Sequence, residues 1–461
     1  MTLSARPAHE MPSHIASARL PVHLAFAMLA TVALLAAILP PAAASTATAS
    51  SAGATTVAGS LSGSVTFYGR GYGHGVGMSQ YGARGRALAG QDAATILAHY
   101  YAGTTAGTID TATKIRVLVL SKWPSSPTSP FVAYGRLKPW TIDGIDATFP
   151  ADAKLTLRPT ITTTGTGTSV SWRLRVVADG TALLDRTMNH SFRMRAPTIG
   201  GRIQVASKPS SFDTYRAVVR VFPSTTAPIV SAVNEIRLET YLRGVVPAEM
   251  PSSWPGVALQ AQAVVARSYA AKRLHPATGS YDIGDDTRAQ VYHGVLAERS
   301  STNAAISTTA GRVLKSGTSI ANTLYHSTGG GATENNENVF VSASGEVLAT
   351  PVSYLRGSSD RAPDGTAFDA ASPYATWHTA TYTIGQLSAW LGTDSRTKVG
   401  TLTAFDLTNR GVSGRLISVT LVGSTGTKTV SGDVFRSVFN ANRPAADPSL
   451  RSTLFDLKPI P

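Results

Sequence analysis

The chain has no cysteine among its 461 residues. A disulfide scaffold and a thiolate metal site are excluded, so stability has to come from burial. Charge is scarce too: 15% of residues are charged and 43% are hydrophobic, a balance that argues against disorder. Acidic residues are the scarcer sign, 27 against 41 basic ones, leaving a formal charge of +14. The basic residues are scattered and not gathered into a Lys/Arg run, so no nucleic-acid ligand is expected.

Long apolar runs are also missing, with one exception, Leu20 to Leu39. Arg6 and Arg19 precede it, Pro40-Pro41 break it, and Ala42-Ala43-Ala44 follow. Positive flank, apolar run and small residues predict a secretory signal peptide over 1–44, cleaved after Ala44. The alternative is an uncleaved N-terminal membrane anchor. Either way the remainder is expected outside the cell, cell-wall associated, where its positive charge suits anionic wall polymers. About 415 residues remain, enough for more than one core.

Residues 45–62 are rich in Ala, Ser and Thr and read as a flexible spacer. A glycine-rich segment over 63–105 leads into a short helix with Asp92 as N-cap, Ile96, Leu97 and Tyr100 as apolar positions, and Gly103 as stop. Residues 106–230 carry alternating or β-branched runs such as Ile115 to Leu120 and Tyr215 to Val221, and predict a β-rich region without a catalytic signature. Over 231–345 an apolar, strand-like run leads to a stiff loop, Pro247-Ala248-Glu249-Met250-Pro251. A long helix then runs to about Arg273, capped by Ser252 or Ser253, with Val257, Ala261, Val264, Val265 and Ser268 on one face. A connecting region over 346–410 includes a helix from Ile384 to Leu391. The last part, 411–461, holds a strand and a helix capped by Ser431. Strands followed by mixed units, without regular βαβ alternation, predict an α+β fold.

Glu249 is the residue placed for chemistry. Pro247 and Pro251 fix the backbone around it, and apolar walls raise a carboxyl pKa as a general acid requires. Taken alone, an ordinary acidic residue at a helix start explains it better.

Resemblance changes that balance. Val233 to Pro251, Ala258 to Ala270, Tyr281 to Gly294 and Tyr325 to Thr333 form ordered blocks that resemble the SpoIID/LytB family. The resemblance implies a peptidoglycan lytic transglycosylase whose catalytic carboxylate falls on Glu249. It would cut glycan strands between N-acetylmuramic acid and N-acetylglucosamine and leave 1,6-anhydro ends. A single carboxylate suits that reaction, because the muramic acid C6 hydroxyl is the nucleophile, whereas a hydrolase usually needs a pair. Asp282, Asp285 and Asp286 are candidates for a second carboxylate, although turn formation accounts for them. Arg267, Ser268, Tyr269, Gln290 and Tyr292 are candidate substrate-binding residues, with Ser327 and Thr328 in the glycine turn and His74 in the glycine-rich segment. The LytB naming also raises a second reading, a non-catalytic wall-binding protein with an amidase partner.

Some relatives carry a cysteine where Gly329 stands here. His74, His293 and His326 have no zinc-ligand spacing, so no metal and no cofactor are expected. The segments Gly69 to Ala83 and Ile96 to Thr104 also resemble the family, but many members carry them after an R-S-T-x-F element, here Arg451 to Phe455. A circularly permuted layout is expected, with 65–105 packed beside 411–457 to complete a SpoIID-like mixed domain, and Met78 near Phe435 or Phe455.

Overall fold

The computed structural model describes residues 61–460 apart from 62, 166, 198 and 276–278. The expected signal peptide, its cleavage point and all of the expected spacer but Leu61 therefore lie outside the described residues. The helices are α1 (Gln80–Leu88), α2 (Ala93–Tyr100), α3 (Leu238–Glu249), α4 (Gly256–Ala271), α5 (Ser300–Thr308), α6 (Asn336–Val339), α7 (Ile384–Leu391) and α8 (Gly432–Asn442). With several sheets around them, the chain is α+β as expected.

A seven-stranded sheet supports the helices that matter here. Its order is Ile283–Gly284, Lys114–Pro124, Ile229–Arg237, Val218–Pro223, Phe192–Arg195, Trp140–Ile142 and Thr148–Phe149. Lys114–Pro124 alternates as a half-buried strand does, turning Ile115, Val117 and Val119 inward. A six-stranded sheet built around Lys154–Thr164 and Gly167–Ala178 buries Trp172 on its own inner face. One hydrophobic core joins Ile115, Trp140, Trp172, Tyr241 and Ile306, so the β-rich stretch and the helices beyond residue 230 share an interior.

Two local expectations are corrected. Residues 238–249 form α3, not a strand and a loop. Val245-Val246 and Pro247 lower helix propensity, but Leu238, Tyr241, Leu242, Val245 and Val246 recur at helical spacing and are all buried. Pro247 falls in the last turn, where it removes a single backbone bond. α4 begins after Pro255 without a side-chain cap and ends at Ala271. It is buried on nearly every side, because α1, α2, α3 and α5 pack around it, so it has no single apolar face.

The two ends of the described chain meet. Strand Tyr68–Gly69 lies between Trp377–His378 and Phe455–Asp456, antiparallel to both. Phe67, fully buried, sits edge-on to Phe405, Phe439 and Phe455 at centroid distances of 5.8, 5.4 and 5.5 Å. Met78 does not reach Phe435 or Phe455. It packs with Ile96, Tyr100, Met250 and Leu259, because the glycine-rich segment passes from one core to another within a few residues. Asp92 and Ser431 cap α2 and α8, and α7 spans the expected residues.

Candidate active site

Glu249 is the last residue of α3; at Met250 the backbone turns extended. Its Oε1 accepts the Val291 N–H at 2.7 Å, and the Tyr325 hydroxyl bonds the same carboxyl. Gln80 Nε2 donates to its backbone carbonyl at 2.9 Å, tying α1 to the end of α3. Among the described residues no cation pairs with it. Burial pushes the carboxyl pKa up, and the two hydrogen bonds pull it back only in part. The result is a carboxyl that holds its proton to higher pH, at the edge of a cleft of about 340 Å³ lined also by His74, Tyr269, Arg288, Tyr325 and Phe340.

Tyr325, Tyr269 and His74 are held from behind. Tyr325 stands on a two-residue strand parallel to Met78–Ser79. Its hydroxyl accepts from Gln290 Nε2 at 3.3 Å, while Gln290 Oε1 accepts from the Tyr241 hydroxyl at 3.2 Å. The Tyr269 ring lies 3.3 Å from the Arg273 guanidinium carbon. His74 Nδ1 accepts the Val76 N–H at 3.0 Å, and the ring also bonds the Tyr325 backbone. Burial, helped by the Arg415 charge, lowers the His74 pKa to about 4, so this imidazole is neutral near pH 7. It presents a flat wall with both nitrogens engaged.

The loop carrying His74 rests on Arg415, which is fully buried. The guanidinium donates to the carbonyls of Gly329 at 2.8 Å and Ala332 at 3.3 Å, and to Ser413 Oγ at 3.1 Å. Gly75 sits on it at φ +85°, and a Cβ there would lie 2.4 Å from the guanidinium carbon.

Of the residues expected at the site, Glu249, Tyr269 and His74 line the cleft. Arg267 does not. Its side chain is fully buried and clamps Glu239 bidentately at 2.7 and 2.9 Å, which offsets the cost of taking the charge out of water. Ser268 is also inside, donating to Val264 O and accepting the Leu314 N–H, which ties a strand to α4. Tyr292 turns inward to Asn234 at 2.9 Å, packed against Gly244. Gln290 backs Tyr325 without lining the cleft. Thr328 is buried against Ser372, and Ser327 stands beside it, so the turn serves backbone packing. Asp282 pairs with Arg116, Asp285 with Lys208 and Asp286 with Arg288; none of the three lines the cleft. His74 and His326 rings are 5.5 Å apart, whereas His293 stacks on Phe212 at 3.6 Å. Sequence reasoning missed Tyr325, Arg288 and Phe340 as cleft residues. Tyr325 opens one of the resembling blocks and was within reach; Phe340, an isolated ring after α6, carried no signal.

Residues 228–315, which contain α3, Glu249, α4 and the Val291 donor, match the family model for Stage II sporulation protein, SpoIID. This segment is similar to SpoIID. The chain is 36% identical over 156 residues to the amidase enhancer of Bacillus subtilis (strain 168), covering 31% of the chain and 20% of that protein. It is also 36% identical over 110 residues to an uncharacterized protein of Brachyspira hyodysenteriae (strain ATCC 49526 / WA1), covering 23% of the chain and 30% of that protein. The chain thus matches less than a third of the length of either curated relative, and the family resemblance read from the sequence is borne out for the SpoIID segment.

Proposed function

We propose that this protein acts on bacterial cell-wall peptidoglycan and cuts its glycan strands as a lytic transglycosylase. The observation that carries the reading is the Glu249 carboxyl: raised in pKa by burial, free of any cation among the described residues, and open to a cleft. A protonated Glu249 donates to the glycosidic oxygen as the bond to the muramic acid C1 breaks. The C6 hydroxyl of the same sugar then bonds to C1, and its proton returns to the carboxylate. Atoms balance without water, and the product carries a 1,6-anhydro ring. Among the described residues no second carboxylate lines the cleft, which favours this route over hydrolysis, where a base or nucleophile is needed opposite the acid. Val291 N–H and Tyr325 hold the carboxyl in place, and the neutral His74 ring and Phe340 offer flat faces for sugars.

The name of the Bacillus subtilis relative supports a second reading, in which the protein binds the wall and enhances an amidase without cutting glycan. Export to the cell wall is part of both readings. Digestion of purified glycan strands followed by mass analysis separates them. The transglycosylase reading expects anhydro ends from the native protein and none from Glu249→Gln. Ends carrying an added water point to a hydrolase, and intact strands refute cutting altogether.

A further inference from the structure

The glycine-rich segment carries one side chain that the cleft does not use. Tyr72 is 39% exposed, although the backbone on either side of it is pinned. Its N–H and carbonyl pair with Thr328 at 2.9 and 3.0 Å, while Gly71 and Gly73 take φ values of +77° and +100°. A Cβ at Gly71 would lie 2.8 Å from Thr328 O, so the chain turns there only as glycine and holds the Tyr72 ring outward. The Tyr374 ring meets it edge-on at 4.8 Å, held by the Gly71 N–H on Tyr374 O at 2.8 Å. Arg451 lies against both rings, its guanidinium carbon 5.7 Å from the Tyr72 centroid and 5.0 Å from that of Tyr374. The Arg451 carbonyl accepts the Gly73 N–H at 3.2 Å, so the three residues form one rigid platform. Among the described residues no carboxylate pairs with Arg451, and its fork of donors is unspent.

We propose that Tyr72, Tyr374 and Arg451 form a second saccharide-binding site that takes a carboxylate-bearing sugar of the same glycan strand gripped at Glu249. Exposed rings stack on the faces of pyranoses, and a planar guanidinium with free donors reads a carboxylate in bidentate fashion. N-acetylmuramic acid offers both groups, an apolar ring face and a lactyl carboxylate, in every second sugar. His74, which lines the cleft, follows Tyr72 by two residues, a span of about 7 Å at most. A strand of a few sugars reaches both places. The inference rests on the glycan reading of the cleft, and it adds a dependence on strand length and on carboxylates that the cleft alone does not require.

The test uses the full chain bearing Glu249→Gln, so that strands bind without being consumed. Calorimetric titration with peptide-free glycan strands of graded length should give affinity that rises with length. Adding Arg451→Ala should weaken long strands about tenfold, the loss of one charged hydrogen-bonding pair, and leave the shortest fragments unchanged. Tyr72→Phe should keep the binding, because only the ring is used, and Tyr72→Ala should lose it. Chitin oligomers, which have no carboxylate, should be indifferent to Arg451→Ala. Equal affinity for long strands with and without Arg451 overturns the second site while leaving the cleft reading intact. An equal loss for chitin overturns the carboxylate assignment, and a loss confined to purified teichoic acid shows a phosphate site instead. If no glycan of any length binds, the second site and the cleft reading fall together.

Discussion

Adding one methyl group at Gly75 should be among the most damaging small changes in this protein. The residue adopts φ +85°, which costs an L side chain about 1–2 kcal/mol. The new Cβ would also lie 2.4 Å from the Arg415 guanidinium carbon, inside any real contact distance. Arg415 has nowhere to yield: it is fully buried and donates to Gly329, Ala332 and Ser413. Its burial already lowers its pKa to about 10, a sign of how poorly solvated the charge is. Breaking one of those charged hydrogen bonds adds about 1.5–3 kcal/mol. Gly75→Ala should therefore lose about 3–5 kcal/mol, a large share of the ~5–15 kcal/mol that a folded domain has in hand. Urea unfolding of the purified protein reads the loss. Gly90→Ala is the internal control, since Gly90 has φ +84° and nothing within 4 Å of its would-be Cβ. That variant carries the backbone cost alone. If the two substitutions prove equally mild, the argument that Arg415 fixes the His74 loop is refuted.

Glycan cutting should fall as pH rises through the raised Glu249 pKa, because the acid must enter the reaction protonated. His74 and His326 are both lowered by burial, so they supply no competing limb near neutrality, and a rate profile that tracks a group titrating near 4 would contradict this. Glu249→Gln should raise the melting temperature at about pH 8 and leave it unchanged well below pH 4.5. The unfolded carboxyl ionises from about 4.5 upward while the buried one keeps its proton up to its own raised value, so the gain builds between those two points and then levels off. Equal melting of both proteins at high pH would remove the desolvation argument. Arg267→Ala should cost about 3–5 kcal/mol in urea unfolding, since it empties a fully buried site and leaves the half-buried Glu239 without its partner, and a loss below about 1 kcal/mol would return Arg267 to the list of surface or cleft residues.

Local signals carried far in this sequence where the physics is local. Asp92 and Ser431 accept the N–H bonds expected of N-caps, and α7 opens on a reciprocal Thr383–Gln386 cap at the expected place. Where tertiary packing decides, the sequence misled. Val245-Val246-Pro247 looks extended, yet α3 forms because its apolar residues find a core on one side. Arg267 sits in a helix with no acidic residue near it in sequence; its partner Glu239 is 28 residues back and becomes visible only when the chain folds. The same distance problem hid the cleft wall. Glu249 was legible by motif, whereas Phe340, which shares its cleft, is far along the chain and stands beside His74 only through the fold.

The strand of Tyr68–Gly69, caught between Trp377–His378 and Phe455–Asp456, makes one wall of the groove depend on distant chain. Every titratable group of the cleft is in place by Tyr325, yet the loop bearing His74 is fastened by the segment around Phe455, much further along the chain. A chain in which the segment around Phe455 has yet to dock therefore has a groove with one wall unfastened. Cleavage that frees the segment around Phe455 would undo the groove from a point remote from the acid itself.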